Sequence, residues 1–408
     1  MQNNKMTNLP QGWEIKRLDD ITEIQIGKTP SRNNIDFFQG ENIWLSIRDL
    51  KSKFVSFSSE KISNEAILKT NMKIVPKGTL LMSFKLTLGK TAFAGCDLYT
   101  NEAIAAIFIK DKNINKYFLD YALKFTDLEK YVDNAVKGKT LNKQKLRQIE
   151  VSMPPLKEQE RIVGILDESF AKIDESIKIL EQDLLNLDEL MQSALQKAFN
   201  PLKDDTKGNY QLPQGWEWKS LGEIGEIITG TTPSKNNPNF YGNEYPLFKP
   251  SDLNGDMIIK FASDNLSKLG FDNARNLPKN TILIVCIGAS IGKIGLSGVN
   301  GSCNQQINAV ISNSTFISKY LFFVCLSNYF QEILKKNASQ TTLPIINKTE
   351  FSKLQIPLPP LKEQEQIASY LDELSLNIKA LKENYKIQIK DYEELKKSLL
   401  KKAFEGRL

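Results

Sequence analysis

Histidine is absent from all 408 residues. That excludes Ser-His-Asp and Cys-His catalytic groups, H-E-x-x-H zinc sites and Cys₂His₂ fingers. Cysteine is scarce: Cys96, Cys286, Cys303 and Cys325 are scattered without a C-x-x-C pair, which predicts a reducing compartment and no structural disulfides. Only an all-carboxylate metal site stays open. No apolar run reaches the roughly 18 residues of a membrane span, so no membrane partner is expected. The start, Met1 to Pro10, holds no apolar signal core, and a cytoplasmic location is expected. What remains is an ordinary globular composition, 41 % apolar and 25 % charged. The length suggests two to four domains at about 100–200 residues each.

The dominant feature is a repeat. Leu9-Pro-Gln-Gly-Trp-Glu-Ile-Lys-Arg-Leu returns as Leu212-Pro-Gln-Gly-Trp-Glu-Trp-Lys-Ser-Leu, an offset of 203. The same offset relates Gly27-Lys-Thr-Pro-Ser-Arg-Asn-Asn to Gly230-Thr-Thr-Pro-Ser-Lys-Asn-Asn, Gly89-Lys90 to Gly292-Lys293, and Asn101-Glu102 to Asn304-Gln305. Pro154-Pro-Leu-Lys-Glu-Gln-Glu-Arg-Ile returns as Pro359-Pro-Leu-Lys-Glu-Gln-Glu-Gln-Ile, and Lys197-Ala-Phe as Lys402-Ala-Phe, both at offset 205. Between these joints the halves diverge. Two readers of different targets on one frame would show this pattern; so would a duplicated fold with drifted loops.

Residues 9–153 and 212–358 alternate short apolar runs, such as Ile104-Ala-Ala-Ile-Phe-Ile and Thr281-Ile-Leu-Ile-Val, with Gly/Asn/Pro turns. That predicts mixed α/β domains. Each Pro-Pro pair then stops a strand and suits the start of a helix. In the first helix Leu166, Phe170, Ile173, Ile177, Leu180, Leu184, Leu187, Met191, Ala194 and Ala198 step alternately by four and three, an a/d seam. The second carries Leu371, Leu374, Ile378, Leu381, Tyr385, Ile389, Tyr392, Leu395 and Leu399. So narrow a stripe is most simply buried by pairing the two helices. The expected order is therefore an α/β domain over 1–156, a helical region over 157–200, a second α/β domain over 201–361 and a second helical region over 362–408.

Charge is segregated. Residues 1–157 carry 25 Lys and Arg against 17 Asp and Glu, whereas residues 158–199 carry 4 against 10. A helix of net charge −6 repels phosphate, so its exposed face is expected to meet protein. The densest basic stretch, Lys137-Gly-Lys-Thr-Leu-Asn-Lys-Gln-Lys-Leu-Arg147, mixes cations with amides that can pair with base edges. Its counterpart, Ala338-Ser-Gln-Thr-Thr-Leu343, is nearly uncharged.

Apparent catalytic motifs fail on inspection. Gly89-Lys90-Thr91 would need glycine where Phe84 stands to be a phosphate loop, and Gly292-Lys293-Ile294 lacks the hydroxyl. Asn237-Pro-Asn-Phe240 lacks one proline of the adenine-methyltransferase motif. The pairs Asp19-Asp20 and Asp204-Asp205 read as solvated turns. No catalytic and no metal-ligating residue is assigned.

The duplicated order Leu-Pro-x-Gly-Trp, Gly-x-Thr-Pro-Ser, Pro-Pro-Leu-x-Glu-Gln-x-x-Ile, long helix, Lys-Ala-Phe resembles the specificity subunit of type I restriction–modification systems. The resemblance covers Leu9 to Leu408. It implies two mixed α/β target recognition domains, each reading half of a split duplex DNA sequence. It also implies two helices in an antiparallel coiled coil that docks methyltransferase subunits; a rod of 43 residues, about 65 Å at ~1.5 Å per residue, is in turn expected to set the spacer between the half-sites. By the same resemblance S-adenosylmethionine, ATP and Mg²⁺ belong to partner subunits, and the chain itself takes no cofactor. Two other readings stay open: service in a methylation-only complex, and a nuclease acting by itself through carboxylates and a metal.

The candidate DNA contacts are polar residues in Gly- or Pro-marked loops. They are Lys28, Ser31, Arg32, Arg48, Lys85, Lys90, Lys139, Thr140 and Lys143, then Ser234, Lys235, Lys249, Ser251, Lys293, Gln305, Gln340 and Thr341. The candidate partner surface is the acidic face of the first helix, Glu158, Glu160, Asp167, Glu168, Asp174, Glu175, Asp188 and Glu189, with the repeated Leu-Lys-Glu-Gln-Glu. Both are expected to be exposed. Two copies of one surface suggest two modification subunits, with restriction subunits a further partner class.

Overall fold

The computed structural model describes residues 9–132, 141–199, 212–339 and 342–408. The chain divides into two compact units, Met1–Ile179 with Gln388–Leu408, and Leu180–Ile387. Packing thus groups the chain differently from four consecutive segments: each unit joins one α/β domain to parts of both long helices. Among the described residues no helix is long and apolar enough to cross a membrane.

The first unit holds a five-stranded sheet in the order Thr22–Ile26, Ile104–Ile109, Leu80–Ser83, Thr91–Ala94, Phe54–Val55. Only the last pair is parallel. The second unit repeats it with Gly225–Thr229, Ile307–Ser312, Ile282–Val285, Ile294–Ser297 and Ile258–Ile259. Alternate residues of the central strands enter different cores: Leu80 and Met82 one, Leu81 the other. Ile282 and Ile284 are likewise divided from Leu283 and Val285. Both faces are covered, so these strands are apolar throughout rather than alternating.

A smaller sheet accompanies each, Glu60–Ile62, Asn42–Leu45 and Tyr99–Thr100 in the first unit. Its counterpart is Asp264–Leu266, Tyr241–Phe248, Gly301–Cys303 and Asn276–Leu277. A two-stranded ribbon ties the two ends of each domain, Glu14–Arg17 with Glu150–Met153 and Glu217–Ser220 with Gln355–Leu358.

Directly after each ribbon a 44-residue helix begins, Leu156–Phe199 and Leu361–Phe404. The glutamine of Leu-Lys-Glu-Gln-Glu fastens it. Gln159 is 1 % exposed; its amide donates to the Asn113 and Pro154 carbonyls and its oxygen accepts from the Asn115 N–H. Gln364, also 1 % exposed, makes the same three bonds to Thr315, Pro359 and Ile317. The expected exposure of this motif is therefore corrected at its glutamine, which serves an internal joint. Burying an amide is tolerated here because its donors and acceptor are all met.

The far end of each helix closes the other domain. Phe199 packs edge-on to Tyr320 in the core of the second unit. Phe404 meets Trp13, Phe118 and Phe125 in the core of the first. This is the reason for the repeated Lys-Ala-Phe and, in the first half, for the tryptophan of Leu-Pro-Gln-Gly-Trp.

Within each unit the helices run antiparallel. In the first, Arg161 reaches the Leu408 carbonyl and Lys396 binds Asp174. In the second, Lys382 binds Asp188. The expected seam of the second helix is corrected at two positions. Leu381 and Leu395 are exposed, and their neighbours Lys382 and Lys396 are half-buried against the first helix. A lysine stem covers apolar surface while its ammonium reaches an aspartate across the seam.

Replacing Gln159 or Gln364 with alanine strands buried backbone groups. Each change should cost about 1–3 kcal/mol, read as a lowered Tm in thermal unfolding. Glu160→Ala, at an exposed neighbour, should leave the Tm almost unchanged.

Candidate nucleic-acid interface

The Gly-x-Thr-Pro-Ser loop is first a joint. The Gly27 N–H bonds the Ile104 carbonyl, and a Cβ on Gly27 would stand 2.1 Å from the Thr100 carbonyl oxygen. At Gly230 the Asn304 carbonyl oxygen would be 2.2 Å away. Only glycine permits that approach. Two residues on, the Thr29 hydroxyl donates to Glu102 and the Thr232 hydroxyl to Gln305. Two repeated motifs, far apart in sequence, are thus the two sides of one contact.

Beyond the joint the loop delivers a cation to a carboxylate. Arg32 forks onto Glu60, and Arg48 from the next loop binds the same carboxylate at 2.6 Å. The Arg32 guanidinium also lies over Phe38 and Trp44, 4.3 and 5.3 Å from the ring centres. In the second unit Lys249 binds Asp264, and the Lys235 ammonium stands 4.0 Å from it. Arg32 hydrogen bonding holds the Glu60 carboxyl below the usual carboxylate range, and the Lys249 bond does the same for Asp264. Each unit therefore presents two cations near one carboxylate. An aromatic side chain precedes each carboxylate by three residues: Phe57 and Phe261, both 85 % exposed. The rings that the structure places against a cation here are Phe38 and Trp44, under Arg32.

The loop carrying Arg48 is braced by Asp49, whose carboxylate accepts from the N–H groups of Ser46 and Ser59. Asp252 repeats this with Lys249 and Ser263. Glu60, Asp264, Asp49 and Asp252 escaped the reading of the sequence. A signal existed: Ser59-Glu60-Lys61-Ile62-Ser63 and Ser263-Asp264-Asn265-Leu266-Ser267 keep an acid at the same place in otherwise divergent stretches.

The remaining candidates fall into separate places. Lys28 and Lys143 line one cavity of about 270 Å³, though the Lys28 ammonium is held by the Thr70 and Asn71 carbonyls. Lys235 lines another of about 440 Å³ with Tyr241 and Asp264. Lys90 lines a third of about 780 Å³ together with Asp167 and Asp174 of the first helix. Lys85 lies over Phe84, Lys293 reaches the Pro250 carbonyl, and Ser234 caps its own turn. Ser31 and Ser251 are exposed, and Gln305 accepts the Thr232 bond. Lys139, Thr140, Gln340 and Thr341 lie outside the described residues.

Much of the acidic face is spent inside the chain. Asp174 and Asp188 bind lysines of the second helix, and Asp167 accepts from Lys53 and Tyr121. Glu158 and Glu168 pair with Arg161 and Lys172 on their own helix. Among the described residues, Glu160, Glu175 and Glu189 are the members of that set left exposed and unpaired.

The discarded motifs have structural roles. Thr91 starts a strand and its hydroxyl binds buried Asp120. Asn237 caps the short helix Pro238–Phe240. Burial pushes the Cys286 and Cys303 thiols up to about 12, far from a reactive thiolate. Among the described residues no group of His, Cys, Asp or Glu is placed to hold a metal ion.

A frame given twice, with a cation pair at one carboxylate in each copy, defines a duplicated two-domain protein. The family described as type I restriction modification DNA specificity domain matches residues 10–184 and 213–391. The chain belongs to that family; it is a non-catalytic specificity subunit, and catalysis lies in partner subunits. It is 25 % identical to the type I restriction enzyme MjaIX specificity subunit of Methanocaldococcus jannaschii, over 98 % of this chain and 94 % of that one. The HindI specificity subunit of Haemophilus influenzae is 30 % identical over 48 % of this chain and 42 % of its own. The fold matches a chain from a structure on complex assembly and conformational transition of the type I R-M system. The TM-score is 0.79 at 20 % identity, covering 98 % of this chain and 99 % of that one. The HsdS subunit from Thermoanaerobacter tengcongensis gives a TM-score of 0.59 at 20 % identity, with both chains fully covered.

Burial alone would raise the Asp49 carboxyl, but bonds from Ser59 and Ser46 outweigh it and hold it below 3.8. Its stabilisation is therefore complete above that value and lost as pH falls through the lower, folded one. Asp49→Asn should lower the Tm at neutral pH, and the gap should close under acid; a gap independent of pH would rule the carboxylate out.

Proposed function

We propose that each unit reads one half of a bipartite duplex target, and that the chain presents the target to two methyltransferase subunits. The single observation that carries this reading is the carboxylate-held cation pair, present once in each unit among otherwise divergent residues. The joints around it are internal, so the divergent positions are free to differ with the half-site. S-adenosylmethionine is held by the modification subunits and ATP with Mg²⁺ by restriction subunits where these join; the assembly works in the cytoplasm.

Exchanging residues 9–153 for the matching segment of a relative tests independent reading. Methylation mapping should show one altered half-site; a change in both halves would refute it. Native mass spectrometry should show two modification subunits per chain at saturation, and one would contradict the duplication argument.

We also infer that the helices set the spacer. Removing Ile173–Ile179 and a matching heptad of the second helix keeps the seam and shortens each helix by about 10 Å at ~1.5 Å per residue. The mapped spacer should shorten by about three base pairs at ~3.4 Å each, or methylation should be lost. The half-site bases should not change.

A further inference from the structure

Both units set two cations near one carboxylate although the sources differ: Arg32 and Arg48 both bond Glu60, while Lys249 bonds Asp264 and Lys235 stands off at 4.0 Å. Arg32 and Lys235 occupy equivalent places, offset by 203, and Glu60 and Asp264 by 204. The second cation does not. Ser251 stands where the first half has Arg48, and Lys249 where it has Ser46. The cation has moved two residues along its loop and still reaches the carboxylate. Stability is a weak reason for such persistence, because exposed ion pairs contribute about 0–1 kcal/mol. The side chains of Arg32 and Arg48 are 53 % and 58 % exposed, and most of their N–H donors are free. Glu60, 26 % exposed, lies beneath both arginines, whereas Asp264, 31 % exposed, lies between the exposed Lys235 and the more buried Lys249 at 24 %.

We propose that Glu60 and Asp264 are positioning residues for DNA reading: each carboxylate aims its cation pair at base edges and keeps it from settling on backbone phosphate. A free Arg or Lys binds phosphate in any register and adds affinity without discrimination. A cation already held on a carboxylate meets phosphate as a competitor, while its remaining donors keep a fixed direction suited to a base edge. The constant carboxylate is the mount; the changing cations, arginines in one unit and lysines in the other, are the part that differs between half-sites. This rests on the reading of each unit as a half-site reader.

The test uses the full chain assembled with its modification subunits, on the duplex identified by methylation mapping and on a scrambled duplex. Glu60→Gln and Asp264→Asn each keep shape and remove charge. Each should tighten binding to the scrambled duplex by about eightfold at 0.1 M salt and steepen the salt dependence by about one ion. Methylation should relax at one half-site only, with base discrimination there falling roughly tenfold. The two variants should relax opposite halves, and Glu60→Asp should restore both readouts. Unchanged or weaker binding to the scrambled duplex by folded variants would overturn the proposal, as would relaxation of both half-sites by one variant. If Glu60→Gln fails to fold, Asp264→Asn in the other unit carries the same test. A wild-type assembly without salt-dependent binding to either duplex would sink the DNA reading itself, a failure distinct from an unresponsive variant.

Discussion

A single buried amide at the start of each long helix governs how the rest is arranged. Gln159 and Gln364 each satisfy three groups at the junction where strand, loop and helix meet. Without them the polypeptide would enter the helix with those groups unpaired in a dry interior, which proteins avoid. Given the clamp, the helix direction is set relative to the domain it leaves. Within each unit the end of the other helix completes the core, Phe199 in one and Phe404 in the other.

Residues that the two halves share sort by what they touch. The glycines and threonines of Gly-x-Thr-Pro-Ser meet the segment after Asn101 or Asn304, and Lys-Ala-Phe meets a core. These are contacts of the frame with itself. The acids Glu60 and Asp264 differ from them in binding side-chain cations that change between the halves. Sameness in a duplicated chain therefore has two origins, and the identity of the partner separates them.

Periodic and repeated features were legible in the residues alone. The duplication, the α/β character of both domains and the helix that follows each Pro-Pro all follow from spacing. The misreadings have local causes. Leu381 and Leu395 stand beside Lys382 and Lys396, so the stripe can be drawn through either set. Apolarity favours the leucines, whereas the packing of the helices selects the lysines because Asp188 and Asp174 wait opposite. Gln159 escaped notice because a polar residue in a helix reads as solvent-facing unless its backbone partners, 44 and 46 residues earlier, are known. Glu60 escaped because its partner Arg32 lies 28 residues away. The ion pairs of Asp174 and Asp188, which stay exposed, were hidden for the same reason: their lysines arrive from some two hundred residues downstream.

The partners of the two glutamines are main-chain atoms throughout, in the shared Pro-Pro and in loops whose outer side chains differ: Asn113-Ile114-Asn115 in one half, Thr315-Phe316-Ile317 in the other, each with its middle residue in a core. A fastening that reads only backbone is indifferent to ancestry. Any domain that folds to the same bend is accepted, whatever sequence built it. The side chains of that bend are therefore free to change together, so long as the backbone turns the same way and the hinge that holds it stays as it is.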